Sequence, residues 1–111
     1  MVRIGEPRVK LPASVRRSEA FQVQTLVAHP MENGRRHGLD GELVPRRIIN
    51  RFTCTAGDTE LFRAELRPST AANPYLAFWC RLDRSSDLRF TWFDDDGTTY
   101  TATHRVEVVA S

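Results

Sequence analysis

The sequence predicts an all-β fold made of two packed antiparallel sheets. Short segments alternate apolar and polar residues along most of the chain, which is typical of strands buried on one face. Turn-forming Gly, Pro, Asn and Asp residues separate these segments at intervals of roughly 8 to 12 residues. At 111 residues, the chain is predicted to be one domain over residues 1–111 with one hydrophobic core. Together these observations predict an immunoglobulin-like antiparallel β-sandwich of about seven strands.

The first half of the chain predicts three strands. Val9 and Leu11 share one face of a short edge strand that Pro12 ends, and residues 13–18 cross to the next element. Phe21 and Val23 alternate with glutamines in a strand over residues 20–29. A third strand follows position 45, with even positions 48–54 on one face and odd positions 49–53 on the other.

The second half predicts four further strands, over residues 59–66, 75–82, 88–93 and 99–109. A tight turn at Gly57 leads into the first, and two prolines mark a crossover at 68–74. The run 94–97, three aspartates and a glycine, predicts a hairpin turn between the last two strands, because alternating oxygen ligands and a later glutamate for calcium are missing. Cys54 and Cys80 have the parity of core residues, so we expect buried free thiols, with a bridge between them as the alternative.

A loop of fifteen residues, 31–45, separates the second and third predicted strands. It contains two turn dipeptides, Asn33-Gly34 and Asp40-Gly41, which favour tight reversals. Loops of this length in compact domains are usually functional or disordered. This loop is therefore the first candidate for a functional segment, with disorder as the alternative.

Composition excludes several classes of partner. The net charge is only +2, so the strong basic field that attracts nucleic acid is missing. No apolar run is long enough to span a membrane. The first residues lack the apolar segment of a secretory signal, and on this evidence alone the chain is expected to stay in the cytoplasm.

We find no catalytic constellation and expect neither a cofactor nor a metal. His29, His104 and Cys80 are the candidate ligands, but their spacing matches no local metal motif. A metal-binding or redox β-sandwich using these three residues remains an alternative. A free-standing protein-binding module is a further one.

Apolar residues at positions that should face solvent are the strongest functional signal. Outward parity is predicted for six residues on several strands: Leu26, Ala28, Ile49, Tyr75, Trp79 and Phe93. An exposed apolar patch of this kind commonly marks a protein partner. The alternative is that a strand bulge or a different register places some of them in the core.

Four blocks of sequence, in order over nearly the whole chain, resemble the SoxZ family, a subunit of the SoxYZ carrier complex of thiosulfate oxidation. They are residues 29–34 (HPMENG), 45–54 (PRRIINRFTC), 72–78 (ANPYLAF) and 94–97 (DDDG). The family is immunoglobulin-like, in agreement with the strand pattern. The loop tip at residues 35–37 departs from the family's pattern.

The resemblance implies a non-catalytic role. It implies a heterodimer with SoxY, whose C-terminal cysteine arm holds thiosulfate-derived sulfur while other Sox enzymes act on it in turn. The end of this chain does not resemble that arm, so the carrier cysteine is expected on the partner. The resemblance also implies a periplasmic location, reached by export together with the partner, and this replaces the cytoplasmic expectation. Alone, the chain is expected to be able to form a homodimer through the same patch.

Overall fold

The structure is a computed structural model and describes residues 7–27, 35, 37–44, 46–67 and 75–109. Within these ranges the chain forms eight strands in two sheets and no helix. The strands are β1 (Arg8–Lys10), β2 (Ser14–Arg16), β3 (Phe21–Leu26), β4 (Ile49–Ala56), β5 (Thr59–Glu65), β6 (Tyr75–Cys80), β7 (Ser86–Asp94) and β8 (Thr99–Val109). The predicted all-β sandwich is confirmed.

The smaller sheet has the strand order β1-β3-β6, and its pairings are antiparallel. Along β3, Phe21, Val23 and Thr25 are buried, as the period-two alternation predicts. The next inward residue, Val27, continues the pattern just beyond the strand with 1% exposure. The opposite face of β3 therefore points away from the core.

The larger sheet has the order β2-β8-β7-β4-β5. Its edge strand β2 pairs parallel with β8, whereas the sequence pattern predicts only a crossing over residues 13–18. Val15 is the single apolar residue of β2, so the segment is too short to show periodicity. Pairing with β8 makes it a strand, and Val15, which lies opposite Val108, is buried there.

Aromatic side chains join the two sheets. The Phe52 ring of β4 lies 5.8 Å from the Phe78 ring of β6, and Phe78 also stacks on Phe62 of β5 at 4.2 Å between centroids. Trp92 completes this layer with its centroid 5.1 Å from that of Phe52 and no exposed surface. Such ring pairs stabilise a core beyond the area that they bury.

The described part of the long loop contains a small reversal. His37 and Leu43 form an isolated antiparallel bridge, and Gly41 between them has a φ of +81°. This confirms the predicted Asp40-Gly41 turn. The Asn33-Gly34 turn lies outside the described residues.

In the part of the chain that the structure describes, no helix is long and apolar enough to cross a membrane.

Candidate partner-binding face

The outer face of the smaller sheet carries three large exposed apolar side chains. Leu26 lies opposite Tyr75 in the β3–β6 register, and Trp79 lies opposite Gln22 four pairs further along. Their exposed fractions are 39% for Leu26, 51% for Tyr75 and 66% for Trp79. We call this surface the β1–β3–β6 face. It is formed by Arg8, Lys10, Gln22, Gln24, Leu26, Tyr75, Ala77 and Trp79.

Strand β1 gives the β1–β3–β6 face a basic margin. Arg8 lies opposite Leu26, and Lys10 lies opposite Gln24, both exposed at the edge of the sheet. The three strands contain no Asp or Glu, so the described strands place no acidic side chain on this face. The face therefore combines apolar area and amides with positive charge along one side.

Three of the six residues predicted to face outward thus lie on one surface, and Ile49 and Phe93 do not join them. Ala28 lies outside the described residues. Ile49 is fully buried, so the expectation that it faces solvent is wrong. The β4–β7 register shifts between Ile49 and Arg51, and this bulge places Ile49 in the same core cluster as Phe52 although the two positions differ in parity.

Phe93 does face outward, but from the other sheet. It is half-buried on β7, and the Arg51 guanidinium lies over its ring at 4.2 Å from the centroid. This cation–π contact covers part of the apolar ring. Because the core separates the two outer faces, Phe93 cannot form one continuous surface with Trp79.

The outer face of the larger sheet is polar. Register places Thr53, Thr91 and Thr101 side by side on its three central strands. Near its margins, Arg63 pairs with Glu60 at 2.8 Å. This face offers hydroxyl groups and paired charges, whereas Leu26, Tyr75 and Trp79 lie on the outer face of the other sheet.

A cluster of Arg and Asp side chains fixes the end of the long loop to the β7–β8 turn. Arg46 donates two hydrogen bonds to the Asp95 carboxylate, at 2.8 and 2.9 Å. Asp95 also accepts hydrogen bonds from the Asn50 side chain and the Ile48 amide. Partial burial acts to raise the pKa of Asp95, but these hydrogen bonds outweigh it and hold that pKa below its usual range.

This cluster explains two of the sequence blocks that carry the family resemblance. Asp95 and Asp96 are held by arginines of the 45–54 block, and Asp94 accepts a hydrogen bond from Tyr100. Gly97 has a φ of +89°, which suits the glycine of a tight turn. The predicted hairpin turn is confirmed, and its carboxylates bind arginines and backbone amides. No local sequence pattern predicts this cluster, because its two halves are far apart in the chain.

The two cysteines lie in the core as predicted. Cys54 and Cys80 are free thiols with 0% and 6% exposure. Of the three residues of the alternative metal-binding hypothesis, His29 lies outside the described residues. The ring centroid of His104 lies 6.0 Å from that of Phe90, in an edge-to-face arrangement. In the described ranges, no three His, Cys, Asp or Glu residues come together as a candidate metal site.

The two packed sheets form an immunoglobulin-like β-sandwich with one exposed apolar face. Solved structures of other proteins share this architecture. The superoxide reductase (neelaredoxin) from Ignicoccus hospitalis aligns with a TM-score of 0.71 at 18% identity, over 96% of this chain and 82% of that chain. The sulfur carrier protein SoxY from Chlorobium limicola f thiosulfatophilum aligns with a TM-score of 0.64 at 12% identity, over 93% and 78%. At these identities the likeness establishes the fold alone.

The sequence identifies the family. The model of the sulphur oxidation protein SoxZ matches residues 9–105, and the chain belongs to the SoxZ family. No curated protein matches the sequence. The family suggested by the four sequence blocks is thereby confirmed.

Proposed function

We propose that the chain is the non-catalytic subunit of a periplasmic sulfur-carrier complex. In this role it forms a heterodimer with a SoxY subunit, whose C-terminal cysteine arm holds thiosulfate-derived sulfur for the other Sox enzymes. Membership of the SoxZ family is the observation that carries the proposal. The exposed apolar surface at Leu26, Tyr75 and Trp79 supports it.

The position of the thiols supports a carrier cysteine on the partner. A group that presents sulfur to several enzymes must be exposed and mobile. Cys54 and Cys80 are buried within strands of the core, so neither can swing out to present sulfur to an enzyme. The reactive thiol of the complex therefore belongs to the SoxY arm, and this chain supplies the scaffold.

The β1–β3–β6 face is the surface that we assign to the partner. Trp and Tyr are enriched at the energetic centres of interfaces, and Trp79 is two-thirds exposed in the isolated chain. A stable heterodimer buries roughly 800 Å² on each partner. Arg8 and Lys10 at the margin favour a partner surface with carboxylates opposite them.

The test is the affinity of the purified chain for its SoxY partner, measured by titration calorimetry. We expect Trp79→Ala to raise the Kd by at least roughly thirtyfold, because truncation of a central aromatic anchor costs about 2 kcal/mol or more. Thr101→Ala, on the outer face of the larger sheet, is the matched control and should leave the Kd unchanged.

Two results separate failure of the surface from failure of the function. A heterodimer whose affinity is unaffected by Trp79→Ala and by Tyr75→Ala would show that the partner binds elsewhere. Absence of any complex with SoxY would refute the function itself. In the absence of SoxY, we expect self-association that Trp79→Ala also weakens, as measured by analytical ultracentrifugation.

A further inference from the structure

Cys54 and Cys80 lie on opposite sheets and meet in the core. Cys54 belongs to β4 of the larger sheet, and Cys80 is the last residue of β6 in the smaller one. Both side chains belong to the same buried core cluster between the sheets. Neither thiol takes part in the proposed sulfur-carrier function.

The neighbouring residues show that this approach follows from how the strands face each other. Phe52 precedes Cys54 by two positions, Phe78 precedes Cys80 by two, and the two rings lie 5.8 Å apart. Side chains two positions apart share a face of a strand. Cys54 and Cys80 therefore point into the core from the same strand faces as Phe52 and Phe78. The thiol contact is therefore the next layer of a continuous inter-sheet packing.

We propose that Cys54 and Cys80 are a redox-active pair that closes into a disulfide joining the two sheets when the protein meets a disulfide oxidant. Antibody domains use a single inter-sheet disulfide in the same kind of sandwich. The structure described above is then the reduced form. The pair lies in the core, away from the β1–β3–β6 face, so this proposal does not depend on the SoxY pairing.

Cys80 is the thiol that reacts first. It lies at the end of an edge strand of its sheet and retains slight exposure, whereas Cys54 has none. Interaction with the Cys54 thiol lowers the pKa of Cys80, while the same interaction and burial raise that of Cys54. A thiolate is the attacking species in thiol–disulfide exchange, so these features favour Cys80 as the entry point.

The exchange takes two steps. The Cys80 thiolate attacks one sulfur of the oxidant, the oxidant's S–S bond breaks, and one thiolate leaves and takes up a proton from solvent. Cys54 then attacks the Cys80 sulfur and gives its proton to the oxidant's second thiolate, which leaves as a thiol. The pair loses two electrons and two protons, and the oxidant is reduced to two thiols.

The bridge should stabilise the fold markedly. It closes a loop that contains β5 and the crossover to β6, which restricts the unfolded chain. For a domain of this size we expect the melting temperature of the oxidised form to be higher by roughly 10 °C.

The experiment treats reduced, desalted protein with oxidised glutathione and labels the remaining thiols with a maleimide in denaturant. We expect an intact mass lower by two hydrogens, no maleimide adduct, and a peptide map that joins Cys54 to Cys80. Melting of the oxidised protein, followed by circular dichroism, should show the higher transition. Two maleimide adducts, or bridges only between separate chains, would overturn the proposal.

Two single variants test the order of reaction. Cys54→Ala should stop at a stable mixed disulfide between Cys80 and glutathione, because the resolving thiol is gone. Cys80→Ala should leave Cys54 unmodified, because that thiol is fully buried. Modification of Cys54 in Cys80→Ala, with none of Cys80 in Cys54→Ala, would overturn Cys80 as the entry point. If a variant fails to fold, the mass change of the wild-type protein still tests the bridge.

Discussion

The Nε atom of Arg47 lies 3.2 Å from Oδ2 of Asp94, and the Asp94 side chain has no exposed surface. Asp94 also accepts hydrogen bonds from the Tyr100 hydroxyl at 3.3 Å and from the Asp96 amide at 3.2 Å. A buried carboxylate is tolerated only when donors surround it in this way. This arrangement couples the end of the long loop to the last hairpin of the larger sheet.

Removing the Asp94 carboxylate should destabilise the fold. Asp94→Ala leaves the Tyr100 hydroxyl and the Asp96 amide without their acceptor, so we expect a loss of about 1–3 kcal/mol in the free energy of unfolding. Urea denaturation measures this loss. Asp87→Ala, which removes an exposed carboxylate of the same strand, is the control and should leave the midpoint unchanged. Equal midpoints for both variants would contradict a structural role for Asp94.

The depressed pKa of Asp95 predicts a stability that falls in acid. A carboxyl whose pKa is lower in the folded state contributes stability above its unfolded pKa, near 3.8, and loses it as the pH falls through the lower folded value. Urea midpoints measured from pH 6 down to pH 2.5 should decline below about pH 4. Asp95→Asn should flatten that decline, whereas Asp87→Asn should not. Parallel curves for wild type and Asp95→Asn would contradict the prediction.

Ile49 should contribute to stability rather than to partner binding. Because its side chain is fully buried, Ile49→Ala removes core contacts, and we expect a loss of about 2–5 kcal/mol in the free energy of unfolding. Leu39→Ala, at an exposed loop position, is the control and should unfold at the wild-type urea concentration. An Ile49→Ala variant of full stability with weakened SoxY binding would restore Ile49 to the interface.

The basic margin predicts a salt-dependent association with SoxY. We expect Arg8→Glu combined with Lys10→Glu to slow association by roughly three- to tenfold at low salt. Charges at the edge of an interface chiefly change the rate at which the two proteins encounter each other. Surface plasmon resonance at two salt concentrations measures the rates. Arg89→Glu, an exposed change on the other sheet, is the matched control. A faster association of the double variant would mean that the partner surface is basic.

Phe93 should be dispensable for the SoxY complex. Phe93→Leu removes the contact with Arg51, and we expect a loss of about 0.5–1 kcal/mol in the free energy of unfolding without change in the Kd for SoxY. Urea denaturation and calorimetry measure the two quantities separately. A weaker Kd with unchanged stability would place the partner on the larger sheet.

Part of the candidate site was predictable from local alternation alone. Tyr75 and Trp79 have outward parity in β6, and both are exposed. The same alternation places Arg8 and Lys10 on one face of β1, but only strand pairing puts that face beside Leu26. Ile49 was misassigned because a bulge changes parity at one residue without a mark in the sequence.

The sequence by itself determined the all-β class, the positions of most strands and the buried face of each, because side-chain alternation is a property of every strand taken alone. Tertiary structure decided which strands are neighbours. It joined β2 to β8, moved Phe93 to the face opposite Trp79, and brought Arg47 to Asp94. Pairing of distant strands depends on how the whole core packs, and the energy of that packing belongs to contacts between segments rather than to any one of them.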